Sequence, residues 1–277
     1  MGLGWTHGHY STATKTVGSP NTILLQLPNG GELHFTESTP ESNQYFADQG
    51  SDAVLDYTDW YDNNWGYRRK VTFDNSAQAE NLVDFPVLVR LDNTRINYSQ
   101  TQNAGQDLRF TDSDGVTLLA HEIEKWDETG SSYVWVKVPQ INASSNTDYI
   151  YVYYGNASAA DGQQAISVWN SNFKGVWHLS ENPAGTAPQM LDSTGNNNDG
   201  TSSGSMTSGD QVSGQVDGSL DFDGTDDAIT VTDNASLRPT NVTVEAWVKS
   251  GAATWNKAGW IVSQRTSTAG NGFILSP

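Results

Sequence analysis

The sequence of 277 residues contains no cysteine, so it has no disulfide framework and offers no thiol chemistry. Basic residues are also scarce: 14 Lys and Arg stand against 32 Asp and Glu, which gives a formal charge of -18. A surface this acidic repels the phosphates of nucleic acids and the anionic headgroups of membranes. The composition therefore excludes nucleic acid as a partner.

Long apolar runs are missing as well. The longest are about five residues, whereas a membrane-spanning helix needs roughly 18 to 20, so we expect no membrane span. The first residues lack the cationic start and apolar stretch of a secretory signal peptide, and we expect that signal to be absent from this sequence. Abundant Gly, Ser, Thr and Asn without cysteine are typical of secreted bacterial or archaeal proteins, which predicts an extracellular or cell-surface location.

What the sequence does contain is strand periodicity. Apolar residues alternate with polar ones in short segments separated by Gly, Asp and Asn turns, and no segment shows a helical period. Strands are predicted at residues 85–91, 107–111, 117–125, 133–138, 148–154, 175–179, 242–249, 260–264 and 272–276. We therefore predict an all-β protein with two antiparallel β-sandwich, jelly-roll-like domains.

Changes in composition along the chain divide it into three predicted regions. Residues 1–58 form a predicted N-terminal arm with a β-hairpin, whose strands 22–27 and 32–35 are joined by an Asn-Gly turn. Residues 59–168 form the first predicted sandwich, and residues 169–277 form part of a second one. Residues 36–52 are predicted to be an irregular loop or an arm lying on a neighbour. Residues 201–214 are predicted to be a mobile loop rich in Ser, Thr and Gly.

The middle region carries six motifs in a fixed order. They are residues 64–70, 85–89, 107–110, 121–124, 134–139 and 150–156. In these motifs it resembles the extracellular family known as domain of unknown function 2341. The resemblance implies a surface or envelope protein in which a LamG-like domain commonly follows, but it supplies no biochemical activity.

The last region resembles the LamG-like, concanavalin-type jelly-roll family in residues 175–179, 192–201 and 218–249. Members of that family usually bind glycans or cell-surface partners. A complete domain is longer than this region, so we expect a sheet with an open edge and an uncovered apolar face. Two explanations stay open: a fragment of a longer protein, or a sheet completed by a strand from a neighbouring subunit.

Acidic turns in this region are candidate ligands for a metal. The candidate ligands are Asp192, Asn196, Asp199, Asp223 and Asp226. Oxygen ligands on flexible loops suit Ca²⁺, and the resemblance to LamG-like domains also implies calcium. The alternative is that these residues only bond the backbone of ordinary turns.

Aromatic side chains are the candidate ligand surface, because sugars stack on aromatic rings. Trp126, Trp255 and Trp260 lie near predicted strand ends, where exposure is expected. Trp135 and Trp247 are expected to cover a sheet or a domain contact. Tyr149, Tyr151 and Tyr153 fall on one strand face, which we expect to cover a sheet or a domain junction rather than to bind a ligand.

Two glutamates raise the alternative that the protein is an enzyme. Glu122 and Glu124 are predicted to share one strand face, and paired carboxylates are the requirement for glycoside hydrolysis. The expected function is nevertheless a non-enzymatic glycan- or surface-binding (adhesion) module. The second expectation is a structural subunit of a cell-surface filament or layer, a homo-oligomer built by strand addition. A polysaccharide-cleaving enzyme comes third.

Overall fold

The computed structural model describes residues 12–16, 22–26, 32–37, 44–47, 54–56, 61–62, 64–251, 260–265 and 272–276. Strands dominate this part of the chain and every strand pair is antiparallel, so the predicted all-β class is confirmed. None of the helices in these residues has the length and apolar character needed to cross a lipid bilayer.

The N-terminal strands form one five-stranded sheet in sequence order. They are β1 (Thr12–Thr16), β2 (Thr22–Gln26), β3 (Glu32–Glu37), β4 (Gln44–Ala47) and β5 (Val54–Asp56). The predicted hairpin is confirmed, because β2 pairs with β3 and Gln26 stands opposite Glu32. The irregular loop predicted for residues 36–52 is wrong, since β4 lies there. Its Tyr45 and Phe46 favour strands, and pairing on both edges satisfies the backbone.

Seven strands of the middle region form two sheets. They are β6 (Tyr67–Thr72), β7 (Leu82–Leu91), β8 (Arg109–Thr111), β9 (Leu118–Leu119), β10 (His121–Lys125), β11 (Ser132–Ile141) and β12 (Tyr149–Tyr154). One sheet has the order β10-β11-β7 and the other β6-β12-β8-β9. Both contribute buried side chains to one hydrophobic cluster, so the two sheets make a sandwich.

Strict alternation decides which side chains fill the sandwich. On β11, Val134, Val136 and Val138 are buried in the shared core, as are Ile150 and Val152 on β12. Their neighbours in sequence point to the outer faces, because successive strand residues face opposite sides. The outer face of each sheet carries polar and aromatic residues.

A single helical turn, α1 (Ala165–Val168), leads out of the sandwich and packs on β10 and β11 through the buried Val168. The remaining strands are β13 (Gly200–Ser203), β14 (Gln211–Ser213), β15 (Gly218–Leu220), β16 (Ala228–Val231), β17 (Val262–Arg265) and β18 (Gly272–Leu275). They form three separate two-stranded ladders, β13–β16, β14–β15 and β17–β18. Met190 and Leu220 are buried in this region.

Four predictions for this region are wrong. Residues 242–249 form no strand, and Trp247 is 83% exposed instead of covering a sheet. An alternating pattern is compatible with a strand, but a strand also needs a neighbouring strand that pairs with its backbone N–H and C=O groups. Residues 175–179 likewise contribute a single bridge, Trp177 to Asp192. Conversely, the loop predicted for residues 201–214 contains most of β13, all of β14 and a 3-10 turn, Ser208–Asp210, capped by Thr207.

Candidate functional site

Glu122 and Glu124 lie side by side on the outer face of the three-stranded sheet, as predicted. They are two residues apart on β10, and the register places Glu122 opposite Trp135 of β11. His121 and Ile123 alternate with them and pair with Val136 and Val134 on the core side. The spacing of two along β10 and the register shift between Ile123 and Lys125 together set the positions of the two carboxylates beside the Trp135 indole.

His178 reaches both carboxylates from the segment that follows the sandwich. Its Nδ1 contacts Glu124 Oε2, and its Nε2 lies 3.3 Å from Glu122 Oε1. Burial disfavours the charged imidazolium, but the two carboxylates outweigh burial and raise the pKa of His178 to about 10. The ring is therefore a cation at neutral pH and is shared by two anions.

Two tryptophans and a serine complete the bonding of the glutamates. Glu122 Oε2 accepts from Trp169 Nε1 at 2.9 Å, and Glu122 Oε1 accepts from Ser193 Oγ at 2.6 Å. Glu124 Oε2 accepts from Trp135 Nε1 at 2.8 Å. Burial opposes ionisation of Glu122, but these donors and His178 outweigh it and lower the pKa of its carboxyl group.

We name Glu122, Glu124, Trp135, Trp169 and His178 the junction cluster. The Trp135 and Trp169 rings pack at a centroid distance of 5.2 Å. The expectation that Trp135 covers its sheet is therefore confirmed. Because the cluster joins β10 and β11 to the chain beyond α1, it attaches the next segment to the sandwich.

The outer face of the four-stranded sheet carries a second group. We name Arg68, Lys70, Tyr149, Tyr151 and Tyr153 the tyrosine face. The register of β6 and β12 places Arg68 opposite Tyr153 and Lys70 opposite Tyr151. Lys70 Nζ lies 3.5 Å from the Tyr149 ring centroid, and Arg68 Cζ lies 4.3 Å from the Tyr151 centroid. Each contact is a cation-π interaction.

The two ends of the tyrosine face differ in exposure. Tyr153 is fully buried, and its hydroxyl donates to the Gly115 carbonyl at 2.9 Å and accepts from Arg68 Nη1 at 3.2 Å. Tyr149 and Tyr151 are only half-buried, and Lys70 is exposed. Burial raises the pKa of Tyr151, so its hydroxyl stays a neutral donor. Sequence analysis found the tyrosine row but missed its cations, because the pairing of β6 with β12 is not visible in either strand alone.

The predicted metal ligands fall into two turns. In the first, both Asp192 oxygens accept hydrogen bonds from the turn, namely from Val176 N, Thr194 N, Thr194 Oγ1 and Asn198 N. Asp199 accepts from the Asp192 amide, and Asn196 donates to the Phe173 carbonyl. In this turn the aspartates accept hydrogen bonds from backbone amides.

In the second turn, Asp223 and Asp226 come together with Asp227. One carboxylate oxygen of each lies within 4.8 Å of the others, and among the described residues this is the one such group that could hold a metal ion. Asp223 also accepts from the Thr225 amide at 2.7 Å, and this bond lowers its pKa. Calcium at this turn stays a prediction.

The three predicted ligand tryptophans do not behave alike. Trp126 is half-buried, meets Tyr98 edge-on at 5.2 Å and donates to Glu128 at 3.2 Å, so it packs on the core. Trp260 is 54% exposed. Trp255 lies outside the described residues.

A cavity of ≈ 180 Å³ opens beside the four-stranded sheet. It is lined by Arg109, Leu118, Leu119, His121 and residues 161–164. His121 is buried, and its Nε2 has no hydrogen-bond partner in the described part of the chain. Burial lowers the pKa of His121 to about 4, so the ring is neutral. Ligand pockets usually hold roughly 300 to 1,000 Å³, so this cavity is small for one.

Comparison with known proteins gives a match over part of this arrangement. No curated protein and no solved structure matches the chain. Residues 104–179 match the family model described as Domain of unknown function (DUF2341). The matched residues include strands β8 to β12 and all five members of the junction cluster. The LamG-like resemblance of the later residues stays a prediction.

Proposed function

We propose that the protein is an extracellular, non-enzymatic module that binds a glycan or another cell-surface polymer. The observation that supports this most is the tyrosine face, where half-buried Tyr149 and Tyr151 stand in a row beside exposed Lys70. Tyrosine combines an apolar ring with a polar hydroxyl, which suits carbohydrates because they expose both C–H and O–H groups. The face lies on a rigid sheet, so binding orders few side chains.

The bonding of the glutamate pair argues against an enzymatic function. A glycosidase needs one carboxyl group that stays protonated to act as the acid, next to a second that is ionised. Donors hold the pKa of Glu122 low, and both glutamates contact His178. The junction cluster therefore favours attachment of the two regions over hydrolysis.

The first prediction concerns the two accessible tyrosines. In Tyr149→Ala/Tyr151→Ala, binding to immobilised cell-wall and capsular polysaccharides should weaken about tenfold, which corresponds to about 1.4 kcal/mol. Affinity electrophoresis of the full chain through each polymer measures the change. The matched control is Tyr133→Ala, which removes a half-buried tyrosine from the other sheet and should leave binding intact.

Two further outcomes matter for this experiment. Retention of every polysaccharide signal in the double variant would contradict the assignment to the tyrosine face. Thermal denaturation with and without a chelator tests the calcium prediction, because removal of a Ca²⁺ ion bound at Asp223 and Asp226 should lower the melting temperature.

A second candidate function is supported by residues 242–249. This segment alternates apolar residues but pairs with no strand in the described residues, and Val242 and Val248 are 46% exposed. Such a segment can accept a strand from a second subunit, which would build a filament or surface layer.

Sedimentation velocity over a hundredfold concentration range tests this candidate. The chain should form larger species as its concentration rises, and Val244→Pro should keep it monomeric, because proline removes a ladder donor. Val244→Thr, which keeps the donor and the β-branch, is the matched control. A monomer at every concentration would exclude strand addition.

A further inference from the structure

Residues 242–249, here named the exposed segment, have no partner among the residues that the structure describes. Every residue of the segment is exposed except the half-buried Val244. No hydrogen bond, ion pair or ring contact joins it to another described residue. Its backbone N–H and C=O groups are therefore open to a neighbouring strand. Its apolar residues alternate, as on a strand with one covered face, and they are Val242, Val244, Ala246 and Val248.

The sandwich has four strand edges in the described residues, and three of them offer little to such a segment. On β7, Pro86 interrupts the open edge, because Lys137 opposite it directs its N–H to Ala120 and Pro86 has no N–H to offer. The edge of β10 is covered, since the Gln164 amide donates to the His121 carbonyl. The strand β9 has only two residues.

The fourth edge belongs to β6, which pairs only with β12. The Phe73 amide donates to the Asp148 carbonyl at 2.9 Å, in the register that continues along both strands. Because bonded and non-bonded pairs alternate in an antiparallel ladder, Lys70 and Thr72 direct their backbone groups away from β12. These groups have no partner in the described part of the chain. The edge of β6 can therefore accept a further strand.

The exposed segment and β6 match in both side-chain pattern and charge. Val71 of β6 packs against the hydrophobic core. Lys70 is exposed, and its ammonium forms no ion pair or hydrogen bond with any described residue. If Glu245 stands opposite Lys70, the apolar residues of the segment lie on the same side as Val71, whichever way the segment runs.

Opposite charges on directly opposed strand residues stabilise pairing. We infer that the exposed segment adds as a strand to the β6 edge of a second copy of this chain, with Glu245 opposite Lys70. This inference rests on the second candidate function and specifies the partner strand that it uses.

The overall charge opposes this association. Two chains with a formal charge of -18 repel each other, so backbone hydrogen bonds and burial of the valines have to supply the favourable free energy. The pair of Glu245 with Lys70 then selects the register. Salt screens the repulsion between the many exposed carboxylates, and we expect self-association to strengthen as the salt concentration rises.

A charge swap tests the pairing. Lys70→Glu makes the chain more acidic and Glu245→Lys makes it less acidic, yet each should weaken self-association about tenfold in sedimentation velocity, because each places like charges opposite one another. The double variant Lys70→Glu/Glu245→Lys keeps the net charge and should restore association. The matched control is Arg90→Glu, which reverses an exposed cation on the other sheet and should change association less than about twofold.

Disulfide trapping tests the contact directly, because the chain has no cysteine of its own. Chains carrying Lys70→Cys are mixed with tagged chains carrying Glu245→Cys and oxidised with glutathione. A mixed dimer should form in most chains, since opposed strand residues have Cα atoms about 4.5–5.5 Å apart, within the range of a disulfide. Arg90→Cys mixed with Glu245→Cys should give only background cross-linking.

The other outcomes separate this inference from the function on which it rests. Self-association that the charge swap leaves unchanged would keep the second candidate function and remove β6 as the partner strand. Opposite effects of Lys70→Glu and Glu245→Lys would show that net charge alone governs association. A Lys70→Cys/Glu245→Cys chain that closes its disulfide as a monomer would show pairing within one copy. A wild-type monomer at every salt and protein concentration would remove both the inference and the second candidate function.

Discussion

In His178→Ala, the free energy of unfolding should fall by about 3–5 kcal/mol, which is the usual cost of removing one partner from a buried ion pair. The loss is large because Glu122 and Glu124 remain beneath the region after the sandwich, without the cation that they share. Denaturation in guanidinium chloride, followed by tryptophan fluorescence, measures the change. Trp135 and Trp169 belong to the junction cluster and contribute to this signal together with the other tryptophans of the chain.

A charge-neutral background provides the control for this prediction. In Glu122→Gln/Glu124→Gln, the amide oxygens can still accept from Trp135 and Trp169, but no buried anion depends on the histidine. Adding His178→Ala to that background should cost less than about 1.5 kcal/mol, the upper end for a neutral hydrogen bond. Equal losses in both backgrounds would mean that His178 acts by packing and not by charge.

A separate result of the same experiment concerns how the two regions unfold. If the junction cluster attaches the later segment to the sandwich, wild-type unfolding should be a single transition that different probes report identically. In His178→Ala the transition should broaden or divide, because the later segment has few buried apolar side chains of its own. Fluorescence and circular dichroism would then disagree.

The sequence predicted the structure correctly where side chains alternate with a period of two residues. Alternation identified the tyrosine row of β12, and it predicted that Glu122 and Glu124 share one face of β10. Both features involve residues that are two apart on one strand, and such residues share a face in a regular strand. Local sequence therefore carries the information that decides them.

The same reasoning could not find partners that lie on other strands. His178 is more than fifty positions from Glu122, and Lys70 is about eighty from Tyr149, so no spacing rule connects them. Residues 242–249 show the converse failure, in which a correct alternation produces no strand because no ladder partner is present in the described residues. Pairing is a property of the fold, and one strand read alone does not reveal it.

The stability of the protein should reach its maximum near pH 6.5, because two buried histidines titrate in opposite directions. The pKa of His178 is raised from 6.5 to about 10 in the folded protein. Its stabilisation is fully present below pH 6.5 and is lost as the pH rises through about 10. The pKa of His121 is lowered to about 4. The stabilisation that depends on a neutral His121 is fully present above pH 6.5 and is lost as the pH falls towards 4.

On the alkaline side the proton of His178 sets the slope, whereas on the acid side the lowered pKa of Glu122 adds to the contribution of His121. Each histidine changes the free energy of unfolding by at most about 1.4 kcal/mol per pH unit within its window. Asp217 also interacts electrostatically with Glu124 and His178, and burial raises the pKa of its carboxyl group. The alkaline limb between pH 6.5 and 10 therefore belongs mainly to His178.

Variants separate the two limbs of the profile. Chemical denaturation at half-unit steps from pH 4 to 10 should give a dome for the wild-type chain. His178→Ala should flatten the alkaline limb, whereas His121→Leu should make the acid limb shallower and keep the alkaline one. His121→Leu leaves no hydrogen bond of Nε2 broken, since that atom has no partner in the described residues. If the free energy of unfolding of His178→Ala still falls between pH 6.5 and 10, the imidazolium between the two glutamates is not what attaches the later segment to the sandwich.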